Sequence, residues 1–284
     1  MSDRLSDIGQ RIVTVHQLGA VVNAMRGMAG ARAQRARALL PAIRTYADTA
    51  RRAIADARRL PGFGGGSGGG PPGRPITIAF GAEEGFAGAF ADQVLDATRG
   101  DFAAGPVLLI GGRTAADATE HGFAPVWTTG LPSRAAALPQ LASAVVDALY
   151  DHLATLGGTA VAMRYPMWRS GSGVTVVRRS LLPFDASAFP ATPSREPPLT
   201  NLPAAPLIER LAQEYVFAQI CEAAVEGFAA ENAARMEAMA SAKTNIDGKL
   251  AGLKAEERLV RQETITAEVV ELAAGVRART PMAS

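Results

Sequence analysis

Leu207 to Val276 is a run of about seventy residues with no proline and only four glycines, Gly227, Gly248, Gly252 and Gly275. Such a run predicts one very long helix, and at ~1.5 Å rise per residue it would extend roughly 100 Å, two to three times the width of a domain. Most of its surface cannot be covered by its own chain, so it needs a partner. Leu211, Tyr215, Ala218, Val225, Ala229, Met236, Met239, Ile246, Leu250, Leu253 and Val260 recur at steps of three, four or multiples of seven, the spacing of a coiled-coil seam. Glu222, Asn232, Lys243 and Glu257 fall at intervening seam positions and read as holes. After Val260 the apolar phase slips to Ile265, Val269, Leu272 and Val276.

A second helical pattern covers residues 3 to 59. Leu5, Ile8, Ile12, Val15, Gly19, Val22, Arg26, Ala29, Ala33, Ala36, Leu40, Ile43, Ala47, Ala50 and Ile54 alternate by three and four, and only Gly19 and Arg26 break the apolar character. Pro41 removes a helical hydrogen bond at a cost of ~3 kcal/mol, which predicts a kink in the preceding turn, since the seam continues in phase beyond it. The first sixty residues hold arginines 4, 11, 26, 32, 35, 37, 44, 51, 52, 58 and 59 against aspartates 3, 7, 48 and 56, whereas acids outnumber bases from Glu209 to Arg279. A basic helix and an acidic one suit an antiparallel pair: charge selects partner and orientation while the apolar seam supplies stability.

Between the helices, the composition changes twice. Residues 61–75 are rich in glycine and proline and read as a linker. From Ile76 to about Asp185, strands at 76–80, 107–110, 126–128 and 159–168 alternate with helices at 89–97, 113–120 and 133–155, and a hairpin through Ser170-Gly171-Ser172-Gly173 leads into Val174 to Leu182. This alternation predicts a Rossmann-like α/β body with a mostly parallel sheet. Prolines 183, 190, 193, 197, 198, 203 and 206 then mark a semi-rigid connector over 186–206. The expected fold is an α/β body (76–185) inserted between an N-terminal helix (1–60) and a C-terminal helix (207–284) that form an antiparallel coiled coil.

The turns and polar clusters carry no recognised catalytic or ligand-binding pattern. Glycines 81, 85 and 88 after the first strand do not make G-x-G-x-x-G, and Gly111-Gly112-Arg113-Thr114 lacks the Lys-Ser/Thr of a phosphate loop, so tight turns account for them. His16, His121 and His152 have no metal-ligand spacing, and Ser172 between glycines reads as a turn residue. Glu83-Glu84 reads as an exposed acidic turn. The lone Cys221 sits within a helix and reads as a small buried hydrophobe. With a net charge of +2 and no aromatic before Tyr46 in the arginine-rich helix, nucleic acid is not the expected partner. No run of about eighteen apolar residues occurs and the N-terminus is charged, so neither a membrane span nor a secretory signal is expected.

The most specific wording lies in the C-terminal helix: Glu231-Asn232-Ala233-Ala234-Arg235-Met236, then Arg261-Gln262, Ile265-Thr266, Glu268, Glu271 and Gly275. It resembles the gamma subunit of rotary F-type ATP synthases, whose members read Glu-Asn-Ala-x-Arg-Met followed by Arg-Gln-x-x-Ile-Thr-x-Glu-Ile-x-Glu-Ile-x-x-Gly. The first helix resembles the same family through Arg11-Ile12-x-Thr14-Val15, Ala24-Met25, Met28-Ala29 and Arg32, and Gly85-Phe86-Ala87-Gly88-Ala89-Phe90 resembles its Gly-Leu-Cys-Gly-Gly-Phe loop. Arg258 replaces a common asparagine, and Gln17-Leu18-Gly19-Ala20-Val21-Val22 replaces Asn-Thr-Gln-Lys-Ile-Thr, which points to a divergent bacterial branch.

The resemblance implies a non-catalytic central-stalk rotor without a cofactor. It would couple ion flow through a membrane c-ring to ATP synthesis or hydrolysis in an alpha/beta hexamer, and stand against an epsilon subunit at the cytoplasmic face of the inner membrane. It implies contacts to the catalytic subunits through Arg261, Gln262, Thr266, Glu268 and Met25. The alternative left open by the residues themselves is a non-rotary coiled-coil adaptor carrying an α/β binding body.

Overall fold

In the computed structural model, residues 2–60, 74–156, 160–169, 171–183, 189 and 198–279 are described. Most of the expected linker (61–75) and much of the proline-rich connector (186–206) lie outside them, as does Ser170 of the expected turn. The elements run α1 (Ser2–Ala57), β1 (Ile76–Phe80), α2 (Phe90–Ala104), β2 (Val107–Ile110), α3 (Gly112–Glu120), β3 (Trp127–Thr129), α4 (Leu138–Leu156), β4 (Val161–Arg169), β5 (Gly173–Leu182) and α5 (Ala204–Arg279). Long N- and C-terminal helices therefore flank a mixed α/β body.

Several boundaries differ from the periodicity reading for local reasons. α1 passes through Pro41 as one helix, because Ala36, Leu40 and Ala47, in phase on both sides of it, are buried and offset the missing hydrogen bond. α2 continues past Gly100 to Ala104, where Phe102 stacks on Phe123 at 4.8 Å and Asp101 receives Arg164 Nε at 2.6 Å. α4 begins after a 3₁₀ turn at Ala135–Ala137, with Pro139 in its first turn. α5 starts three residues early, since Pro206 also falls in a first turn, where no intrahelical N–H is needed.

The sheet order is β3-β2-β1-β4-β5. β1 pairs in parallel with β2 and β4, β2 in parallel with β3, and β5 runs antiparallel to β4. All of β1 and β2 is buried, as expected of parallel strands covered on both faces and written as unbroken apolar runs. Ile76, Ile78, Phe80, Leu108 and Ile110 pack with α4, α5 and Ala36 and Leu40 of α1. Ala79, Val107 and Leu109 face the other way, toward Leu95 of α2 and Ala118 of α3.

The chain divides into two compact units, residues 29–236 and residues 1–28 with 237–284, so both long helices contribute to each unit. In the larger unit α5 is buried on every side from Ala218 to Arg235. Gly227 permits this. A Cβ there would lie in contact, 3.4 Å from Phe80 Cβ and 3.6 Å from Pro166 Cδ, so a side chain longer than alanine would press against the ends of β1 and β4. In the smaller unit Ile8, Val22, Met239, Leu253 and Val260 are buried, and a Cβ on Gly19 would approach Ile246 Cγ2 to 3.2 Å.

Candidate partner-contact surfaces

Periodicity places the motif residues before any contact does. At 100° per residue, Gln262 and Thr266 share one face of α5, while Arg261 and Glu268 share another. The structure keeps these pairs apart. Gln262 and Thr266 line a shallow groove of about 690 Å³ with Leu259, Glu263, Ala267, Val270 and Glu271. The Thr266 hydroxyl donates to Gln262 O at 2.8 Å, within its own helix. Arg261 pairs with Glu257 at 2.9 Å, one turn back, and its side chain is 62% exposed. Glu268 is exposed.

From Arg261 to Leu272 only Thr264 is even half-buried. Ile265, Val269, Val270 and Leu272 stand 55%, 59%, 63% and 70% exposed, a dense apolar display for a helix end. The side chain of Val276, the last expected seam position, lies outside the described residues. Met25 is half-buried on α1 in the same unit. In that unit Arg4 of α1 also lies 3.8 Å from Glu256 of α5.

The larger unit holds polar groups that sequence reasoning missed or misread. Glu222 and Asn232, read as holes in the seam, are buried at 8% and 2% exposure. Glu222 accepts Arg44 Nε at 2.9 Å and Arg179 Nη1 at 3.0 Å. Its burial would raise its carboxyl pKa, but the hydrogen bonds and positive charges of Arg44 and Arg179 together outweigh burial and hold it below the usual carboxylate range. Glu226 accepts Arg44 Nη2 at 2.7 Å, yet burial, together with the Glu222 charge, pushes its carboxyl up. The signal available in the sequence was the excess of arginine on α1 facing acids on α5. The fourth member of the network, Arg179, comes from β5, and no spacing rule reaches it.

Glu83-Glu84 is not simply an exposed acidic turn. Glu83 is half-buried, and its Oε2 accepts Gly112 N at 2.8 Å and Leu131 N at 2.7 Å. This carboxylate therefore occupies the N-terminus of α3 and the turn after β3, at the carboxyl edge of the parallel strands. In open α/β sheets that edge is where ligand anions bind. Gly81 is required beneath it, since a Cβ would lie 2.5 Å from Thr114, whose hydroxyl receives Ala82 N at 2.7 Å. Phe86, next along the loop, is 71% exposed and adopts a left-handed φ of 63°.

His121 and His152 each place Nδ1 against a carbonyl of their own helix, at 2.8 and 2.7 Å. Among the described residues no group of His, Cys, Asp or Glu could hold a metal ion. Burial pushes the Cys221 thiol up to about 12, so it is inert as a nucleophile. Among the described residues, no helix is long and apolar enough to cross a membrane.

Comparison with known proteins adds to this geometry. The profile of a family described as ATP synthase matches residues 4–278. The ATP synthase gamma chain of Anaeromyxobacter sp. (strain K) is 32% identical over 128 residues, 42% of this chain and 41% of that protein. That of Baumannia cicadellinicola is 40% identical over 72 residues, 25% of each. The chain thus aligns with about two fifths or less of the length of these curated relatives. Among solved structures, a chain of the Euglena gracilis mitochondrial ATP synthase in rotational state 3 (OSCP/F1/c-ring) superposes with a TM-score of 0.69 at 14% identity, over 98% of this chain and 95% of that one. A chain of the Tetrahymena thermophila mitochondrial ATP synthase central stalk and c-ring gives 0.58 at 15% identity, over 78% and 99%.

Proposed function

Because the chain belongs to the ATP synthase family, we propose that it is the gamma-type rotor of a central stalk, a shaft that performs no bond chemistry. The shaft is an antiparallel coiled coil of residues 1–60 and 207–284, and the body of residues 76–185 joins it through segments 61–75 and 186–206. Within the smaller unit, Arg4 meets Glu256 while Gly19 meets Ile246. Within the larger, Gly30 meets Met236 while Arg44 meets Glu222. In each unit the α1 number rises as the α5 number falls, which supports the antiparallel arrangement.

The observation that carries the rotor reading is the apolar display from Ile265 to Leu272 on a helix that is buried on every side from Ala218 to Arg235. A helix end that exposes so many large apolar side chains is built to be gripped by other chains. Its occupants are the alpha and beta subunits of a catalytic hexamer, with Arg261, Gln262, Thr266, Glu268 and Met25 among the contacts. The body faces an epsilon subunit and the c-ring at the cytoplasmic side of the membrane. A stiff asymmetric rod touches three equivalent catalytic subunits differently, so their nucleotide affinities differ and change in turn as it rotates.

The test is truncation after Val260 in the assembled complex. The body should stay folded while ATP synthesis in reconstituted vesicles is lost. Unchanged coupling in the truncated complex would rule the shaft out.

A further inference from the structure

Glu231 and Arg235 lie one turn apart on α5, with side chains 3% and 6% exposed and 2.5 Å between Oε1 and Nη2. Their outward bonds all go to the backbone of one loop of the α/β body. Glu231 Oε1 accepts Glu84 N at 3.1 Å. Arg235 donates through Nη2 to Glu84 O at 3.0 Å and through Nε to Gly85 O at 3.1 Å. The same loop is fixed to the sheet from its other side, where Glu83 grips Gly112 N and Leu131 N.

We propose that Glu231 and Arg235 are positioning residues that weld the loop after β1 to α5, forming, beside the Arg179 bonds to Gln219 and Glu222, a joint through which twist passes between body and helix; this rests on the rotor reading. Apolar contacts between the body and α5, such as Ala82 and Ala87 with Ala230 and Ala234, are non-directional and resist sliding or rolling only weakly. Hydrogen bonds lose strength steeply when bent, and a planar guanidinium spanning two successive carbonyls fixes both the azimuth and the axial position of the helix. Because the partners are backbone groups, the joint has no flexible side chain on the loop side. The low exposure of both side chains strengthens these bonds and limits the water that could replace them as they stretch. The load path runs from the sheet through Glu83 to the loop, and from the loop through Glu231 and Arg235 into α5, which is one continuous helix to Arg279.

The test uses the full chain in its complex, immobilised by the hexamer, with a probe particle on the α/β body, and compares Glu231→Gln, Arg235→Lys and the double variant Glu231→Gln/Arg235→Met. Lysine keeps the charge but loses one of the two carbonyl bonds, so angular variance of the particle during a dwell should rise about twofold while unloaded rotation continues. In the full chain, amide exchange at Glu84 should rise about tenfold in Glu231→Gln. A purely structural role would lower the melting temperature and raise amide exchange while leaving the angular variance unchanged, and that result overturns the joint. Should the double variant not assemble, the two single variants decide alone. Absence of rotation in the unaltered complex would instead overturn the rotor reading, and amide exchange would still judge the weld.

Discussion

Residues 218–235 and residues 261–272 belong to the same helix, α5, and meet opposite surroundings. The first stretch is buried on every side, and its charged side chains and Gln219 are matched to groups of other elements: Gln219 and Glu222 to Arg179, Glu226 to Arg44, and Glu231 and Arg235 to the loop after β1, while Asn232 bonds within α5. The second stretch is almost wholly exposed. Arg261 bonds Glu257 and Thr266 bonds Gln262, each one turn away, while the stretch's large apolar side chains face outward. A helix finished by its own chain satisfies its polar groups at long range, because an unpaired buried charge costs several kcal/mol. A helix left for a partner keeps its polar groups locally content and its apolar groups free.

The sharpest way to break this contrast is to lift the buried stretch. Gly227→Leu forces side-chain atoms against Phe80 and Pro166 and should destabilise the body by about 1–3 kcal/mol. The only tryptophans, Trp127 and Trp168, both report on the body, so their fluorescence during urea unfolding measures the loss. An unchanged midpoint would mean that α5 does not pack as closely there as described.

A smaller effect should follow from pH. The Glu222 carboxyl is held below its ordinary value, so its contribution is present above the unfolded-state pKa and is lost as pH falls through the folded one. Glu226 and Glu231 are raised, chiefly by burial, so their contributions are present below the unfolded-state pKa and decline as pH rises through the folded values. The stability gap between the native chain and Glu222→Gln should therefore narrow between about pH 7 and about pH 3. A gap that stays constant over that range would show that Arg44 and Arg179 do not favour the charged form.

The smallest effect on stability is expected at the exposed stretch. Arg261→Ala with Gln262→Ala removes one solvated ion pair and should move the unfolding free energy by less than about 0.5 kcal/mol, while lowering turnover of the assembled complex. Loss of assembly with normal turnover would assign these residues to docking rather than to coupling.

The fold was largely legible because periodicity survives translation into burial. Along α1 every seam position from Leu5 to Ile54 is buried or half-buried except Arg26, and the strand runs at 76–80 and 107–110 have the bounds their composition indicated. The same method failed where a polar residue interrupts an apolar pattern. Glu222 and Asn232 read as gaps because periodicity scores a charge at a buried position as an error, although a carboxylate with two guanidinium partners is a satisfied core residue. Met236 failed in the other direction: it sits in the seam pattern yet is 39% exposed. The wording around Arg261 and Gln262 marked the stretch as specific, but its division between two faces of α5 required the helix itself.

The order of the elements, the helical phase of α1 and α5 and the parallel strands were determined by the sequence, because each depends on residues close together in the chain. The tertiary structure decided which carboxylates are anchors, because Glu83, Glu222 and Glu231 draw their roles from Gly112, Leu131, Arg44, Arg179 and Glu84, brought near only when the sheet and α5 come together. A pattern along one chain encodes which face is buried; it does not encode what the buried face will meet.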